Sequence, residues 1–363
     1  MKIAFYGSSL LSSYWNGAAT YYRGMLGELA KLGWKVVFYE PDAFDRQKNR
    51  DIDPPDWAEV VVYDATPEAC RKVMARAAEA DVVVKASGVG VFDDELLGVF
   101  DLARPGALRI FWDVDAPATL AEMRLNPEMP LKKALPNLDF VFTYGGGPPV
   151  VAAYEAMGAP VCRPIYNALD PTTHHPVPAE PRFTADLALL ANRLPDRESR
   201  IERFFLEPAA GLPDRRFLLG GSGWHDKHMA PNVTAIGHVG TRDHNAFNCS
   251  PLAVLNVARD SMAEIGFSPA TRVFEAAGAG ACLITDFWEG IEMFLEPDSE
   301  VLVARDGKDV AEHLAALTPE RAATIGEAAR LRILAGHTYE RRALEVDALL
   351  RSEGAWRSER KSA

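Results

Sequence analysis

Glu275 stands three residues beyond Arg272 and four beyond Thr271, in the stretch FSPATRVFEAAGAGACLITD (267–286). A carboxylate one turn inside a helix can accept from ribose hydroxyls, while a guanidinium and the spare N–H groups of the helix start face an anion. The local pattern predicts that helix. Ser268 suits the N-cap and Pro269 the first helical position. Ala270, Val273, Phe274 and Ala277 recur at helical spacing, and Gly278 and Gly280 can end the run before a buried strand over 281–285. An ordinary α/β helix with a solvated Arg and Glu would carry the same pattern, so both readings stand at this point.

Other stretches raise similar pairs of readings. ANRLPDRESR (191–200) follows a strand and places Arg193, Arg197 and Arg200 at a strand-to-helix junction. Guanidinium groups there can pair phosphate oxygens two at a time, or they can simply answer Asp196 and Glu198. FLLGGSGW (217–224) opens a strand into Gly221 and Ser222 beside Trp224, where a backbone could approach a planar base or merely turn. Asn256 and Arg259, in the loop between the strand at 253–257 and the following helix, are further binding candidates, or a solvated turn. FWDVDAP (111–117) holds Asp113 and Asp115, which could receive the proton of an acceptor hydroxyl or cap a helix beginning near Ala116. The loop GSSLLSSYWNGAAT (7–20) offers Ser8, Ser9, Asn16, Tyr14 and Trp15, a composition suited to a sugar-like face or to a capped loop with anchoring aromatics.

Several chemistries lack their residues. Gly7-Ser8-Ser9-Leu10 has only the first glycine of the dinucleotide fingerprint, and Gly88-Val89-Gly90-Val91-Phe92-Asp93 ends in a carboxylate that would repel pyrophosphate. His225, His228, His238 and His244 show no third convergent ligand, so no metal is expected. No G-x-S-x-G elbow, H-E-x-x-H helix or Walker lysine loop is present.

The elements that must position these residues alternate along the chain. Strands are predicted near 2–6, 36–39, 59–63, 82–86, 108–112, 139–143 and 160–164, with helices such as 18–32, 116–124 and 148–157 between them. After the proline-rich DPTTHHPVPAEPRFT (170–184) the alternation resumes, with strands near 186–191, 216–220, 233–238, 253–257, 281–285 and 300–303. Three helices close the chain. This argues for α/β architecture in two doubly wound, Rossmann-like domains facing across a cleft. Their expected bounds are 1–168, a linker over 169–184, 185–337, and a C-terminal helix over 338–363 able to pack back on the first domain.

Composition narrows the class. The 363 residues are 48 % hydrophobic and 25 % charged with a net charge of −12, which argues against broad phosphate-backbone binding to nucleic acid. Four scattered cysteines read as reduced thiols. The first residues read as a strand and loop rather than a leader, and no run reaches the ~20 apolar residues of a membrane span. These features predict a cytoplasmic protein.

YNALDPTTHHP (166–176) resembles the hinge of retaining GT-B glycosyltransferases, and ATRVFEAAGAGACLITD their nucleotide-sugar helix and strand. FWDVDAP, LNVARDSMAEIGFSPATRVFEAAGAG and HTYERRALEVDALL resemble the CgeB-like spore maturation glycosyltransferases. The resemblance implies a hexosyltransferase-type enzyme with a nucleoside-diphosphate sugar as co-substrate and no prosthetic group. It implies Glu275 on the donor ribose and Arg193 on the diphosphate, with Thr271 and Arg272 at the helix start beside it. Arg193, Arg272 and the helix end at Ser268 would then stabilise the leaving diphosphate without a metal, and the first domain would bind the acceptor. Many of these enzymes carry a second Glu eight residues before the ribose Glu; here that residue is Phe267, which leaves the stereochemical course open. A nucleotide-sugar-binding protein without transfer and a sugar-nucleotide epimerase are the competing classes.

Overall fold

The structure, a computed structural model, describes residues 1–14 and 16–362, with side chains described through Glu353. The chain divides into two compact units. One comprises residues 1–166 with the C-terminal helix, and the other comprises Asn167–Thr338.

In the first unit, seven parallel strands form one sheet: β1 (Lys2–Tyr6), β2 (Lys35–Asp42), β3 (Ala58–Asp64), β4 (Val82–Ala86), β5 (Leu108–Asp113), β6 (Phe140–Thr143) and β7 (Cys162–Pro164). Their order is β3-β2-β1-β4-β5-β6-β7. Central strands such as VVVKA and FVFT are buried along their whole length, as both-face coverage by helices requires. Helix α1 (Ala18–Lys31) turns Tyr21, Tyr22, Met25, Leu26 and Leu29 inward and ends at Gly33, whose φ of +91° suits glycine. Helices α2 (Ala116–Leu125) and α3 (Gly147–Ala156) follow β5 and β6.

The second unit carries a six-stranded parallel sheet: β8 (Leu187–Leu190), β9 (Phe217–Gly220), β10 (Val233–Gly237), β11 (Ala253–Asn256), β12 (Leu283–Asp286) and β13 (Leu302–Ala304), in the order β10-β9-β8-β11-β12-β13. Its helices include α4 (His244–Cys249), α5 (Asp260–Ile265), α6 (Thr271–Gly278) and α7 (Pro319–Gly336). The proline-rich segment belongs to this unit: Leu169 bridges Thr338, and its N–H donates to the His337 carbonyl at 2.9 Å.

The closing helix, α8 (Tyr339–Ser362), belongs to the first unit and packs along α1. Gly24 permits this approach, since a Cβ there would lie 2.3 Å from the Tyr339 ring. Farther along, the Trp34 indole N–H donates to Asp347 at 2.7 Å. The expectation of two parallel α/β domains is borne out. Among the described residues no helix is long and apolar enough to cross a membrane.

Candidate functional site

In each sheet the strand order reverses beside its first strand, between β1 and β4 and between β8 and β11. The carboxyl edge at such a reversal is where doubly wound folds leave room for a ligand. The candidate residues fall at these two edges.

At the second unit's edge, the β8 loop brings Arg197 and the β11 loop brings Arg259. The backbone ties these loops together, with Asp260 N–H donating to the Asp196 carbonyl at 3.0 Å, and the Arg259 Nε pairs with the Asp196 carboxylate. Arg272, at the start of α6, lies near enough to Arg197 for the two charges to repel. Burial lowers the Arg197 pKa, Arg272 and Arg259 lower it further, and Asp196 and Asp286 oppose them. Burial also lowers that of Arg272, against Glu275 alone. Arg197 donates to the Asn192 carbonyl at 2.9 Å and buries its Nε without a partner. Among the described residues neither Arg197 nor Arg272 forms an ion pair, although both are partly desolvated. Desolvated guanidiniums that lie close together and form no ion pair suit an anion.

The remaining cations of this edge are committed. Arg193 pairs with Glu198 and Asp226, both at 2.8 Å, and holds the Glu198 carboxyl down at about 2 together with Lys227. Arg200 pairs with Asp286, a wholly buried carboxylate that also accepts the Ala258 N–H at 3.0 Å. Asn256 is buried and donates to Thr285 Oγ1 at 3.0 Å, linking the ends of β11 and β12.

Two donor-side expectations need correcting. Trp224 offers no face to a base: it is 3 % exposed, packs among Phe204, Phe217 and Leu255, and donates its indole N–H to the Ala191 carbonyl at 2.7 Å. Ser268 is not the N-cap. Gly266 and Phe267 take positive φ (+73° and +49°), and the residue before a proline resists helical backbone. The helix therefore begins at Thr271 with Ala270 at its cap and no side chain capping it, and Ser268 Oγ is buried without a partner. Gly221, at φ +119°, passes so close to Ala191 that a Cβ would sit 2.1 Å from that carbonyl oxygen. Ser222 is exposed, and its N–H donates to Asn192 Oδ1 at 2.9 Å.

Glu275 is half-buried on α6, its side chain 12 % exposed, with His174 Nε2 at 3.7 Å from Oε1. His244 completes a group with one ring nitrogen from each histidine and a carboxylate oxygen all within 4.8 Å. Sequence reading did not bring His174 and His244 to Glu275, because about a hundred positions separate His174 from Glu275 and about thirty separate His244 from it. Of the four histidines it did single out, His244 joins this group, whereas His225, His228 and His238 are exposed.

In the first unit, the structure withdraws most of the expected residues. Asp113 is wholly buried and accepts from Tyr154, from Thr119 Oγ1 at 3.0 Å and from the Asp115 N–H at 3.0 Å, so it cannot take a proton from an acceptor. Burial pushes its carboxyl upward. Asp115 occupies the N-cap position of α2 and is half-buried. Ser8 and Ser9 point inward rather than to a ligand: Ser8 Oγ donates to Asn16 Oδ1 at 2.9 Å and Ser9 Oγ to the buried Glu40 at 3.0 Å. Asn16 is also buried and donates to the Ser9 and Ser12 carbonyls. Trp15 lies outside the described residues. The open space at this edge is a cavity of about 420 Å³ lined by Tyr14, Phe44, Asp45, Arg46 and Gly90. Phe44 is 55 % exposed at φ +57°, its ring resting on Gly90 with the Arg46 guanidinium 5.1 Å away.

The chain is similar in structure to sucrose-phosphate synthase from Thermosynechococcus elongatus, at 16 % identity and a TM-score of 0.69, covering 98 % of this chain and 99 % of that one. It is similar to HepE from Anabaena, solved with UDP-glucose, at 13 % identity and 0.68, covering 97 % and 100 %. AviGT4, a glycosyltransferase involved in avilamycin A biosynthesis, gives 17 % identity and 0.63, with 98 % of each chain covered. Among curated proteins no sequence matches. Residues 197–348 match the profile of the glycosyl transferase-like family, and the whole chain has the two-domain α/β fold of the GT-B glycosyltransferases.

Proposed function

We propose that this chain is a glycosyltransferase of the CgeB-like type, moving a sugar from a nucleoside-diphosphate sugar to an acceptor with retention and without a metal. The observation that carries this reading is the pair Arg197 and Arg272, desolvated, repelling each other and without ion pairs at the topological switch of the second sheet. A diphosphate there relieves the repulsion, and charge developing on the leaving group strengthens the same contacts in the transition state. Uncapped N–H groups at Thr271 and Arg272 add to that field. Arg193 stands beside the site and reaches a phosphate by exchanging Glu198 or Asp226 for it.

The rest of the donor follows from position. Glu275 takes the ribose. Gly221 and Ser222 supply backbone for the base edge, and Asn256 and Arg259 hold the switch-point loops in place. HepE and an α-glucosyltransferase have been solved with UDP-glucose, so UDP-glucose is the first donor to test. In the first unit, the half-buried Asp115 is the candidate to receive a proton. The cavity under Tyr14 and Phe44 is the acceptor's place.

Proton NMR of UDP-glucose incubated with the protein tests the reading. Release of UDP, even slowly to water, supports it, and formation of an isomeric sugar nucleotide would point to an epimerase instead. Binding without turnover would favour the non-catalytic class, which the withdrawn Asp113 speaks for.

A further inference from the structure

The carboxylate of Glu275 faces two imidazoles that the donor reading has not yet used. His174 ends the turn that Asp170 begins, with its N–H donating to the Asp170 carbonyl at 3.0 Å, and is 5 % exposed. Its Nδ1 lies 3.0 Å from Thr173 Oγ1, and its Nε2 is buried with no hydrogen bond, 3.7 Å from Glu275 Oε1. His244 opens α4 and is half-buried, its ring 6.1 Å from that of His174. One of its nitrogens is hydrogen-bonded to the Val239 backbone. Burial lowers its pKa; Arg272 and His174 act the same way, and Glu275 opposes them.

A neutral imidazole that donates to a carbonyl keeps one nitrogen as an acceptor, and an ionised carboxylate only accepts. His244 and Glu275 therefore present acceptors side by side, and what they lack is a pair of donors. A divalent cation would satisfy acceptors too, but Arg272 already places positive charge against Glu275. Neighbouring hydroxyls add no charge and supply two O–H groups at the right spacing. We propose that His244 is a second reader of the nucleotide's ribose, sharing its vicinal hydroxyls with Glu275, and that His174 is a positioning residue holding the Glu275 carboxylate in place. This rests on the donor reading and specifies its ligand as a ribonucleotide.

The test is calorimetric binding of UDP, 2′-deoxy-UDP and 3′-deoxy-UDP to the full chain. The wild type is expected to prefer UDP over at least one deoxy analogue by about tenfold or more, because a site built to bond a hydroxyl rejects the ligand lacking it. In His244→Phe and His174→Ala that preference falls below about threefold, mainly through weaker UDP binding, since the phosphate contacts remain. His174→Gln retains an N–H donor and recovers most of the preference, which a merely structural role would not predict. Melting temperatures identify any variant that fails to fold, for which His244→Gln serves as the replacement. Wild-type preference in folded variants would overturn the inference while leaving nucleotide binding intact. So would stoichiometric Zn²⁺ uptake that disappears in His174→Ala, which would make the cluster a metal site. Absence of UDP binding by the wild type would instead strike the donor reading itself.

Discussion

Tyr154 gives its phenolic hydrogen bond to Asp113, a carboxylate with no solvent exposure at the end of β5. Through it, Asp113 binds the strand to both following helices, because Tyr154 lies on α3 and Thr119 on α2. Asp113→Asn should therefore act on stability. Losing one charge-assisted partner of a buried network should lower unfolding free energy by about 1–3 kcal/mol, read by urea denaturation. UDP affinity should stay within about threefold of wild type.

Arg197 and Arg272 should behave in the opposite way. Removing either charge breaks no ion pair and takes away a guanidinium whose pKa burial lowers, and for Arg197 it also relieves repulsion by Arg272. Arg272→Ala should weaken UDP at least about tenfold while leaving the melting temperature unchanged or higher, since a charge-assisted bond to phosphate contributes ~1.5–3 kcal/mol. Arg193→Ala should weaken UDP by a smaller factor than Arg272→Ala, because that guanidinium must give up Glu198 or Asp226 to reach a phosphate.

The lowered pKa of His244 sets a pH limb. Its folded value lies below the ordinary imidazole value, so its contribution to stability is present above that value and is lost as pH falls through the folded one. The charges facing it are Glu275 and Arg272 on α6 and His174 on the preceding segment. UDP affinity should decline on the same limb as the acceptor nitrogen is protonated. Calorimetry between about pH 8 and about pH 5 should show this decline, and His244→Gln should flatten it.

Gly221→Ala tests the backbone of the β9 turn. A methyl would meet the Ala191 carbonyl oxygen at 2.1 Å in a conformation reserved for glycine. About 2 kcal/mol or more of stability should be lost, with the near-ultraviolet signal of Trp224 altered.

Alternation and hydrophobic runs were enough to read the sheets from sequence. Strands such as VVVKA and FVFT are buried on both faces, and the helices between them repeat at regular spacing. What local pattern could not reveal was direction and long-range meeting. Asp113 and Asp115 look alike in FWDVDAP, yet Tyr154, some forty residues on, draws the first inward. Ser8, Ser9 and Asn16 have a ligand-like composition, but Glu40 at the end of the neighbouring strand claims that loop from within. The cap of α6 lies two residues beyond Ser268, the cap that the sequence suggests, because two consecutive positive-φ residues carry no strong sequence mark when one is Phe267. The histidines around Glu275 come from the segment before β8 and the helix before β11, and only the fold brings them together.

The central claim is that Arg197 and Arg272 receive the diphosphate of a nucleotide sugar. Titration calorimetry of UDP into the wild type and into the Arg197→Ala/Arg272→Ala protein tests it most directly. Saturable one-to-one binding that weakens about a hundredfold in the double variant is the predicted result. No heat beyond dilution in the wild type, or equal affinity in both proteins, would contradict it.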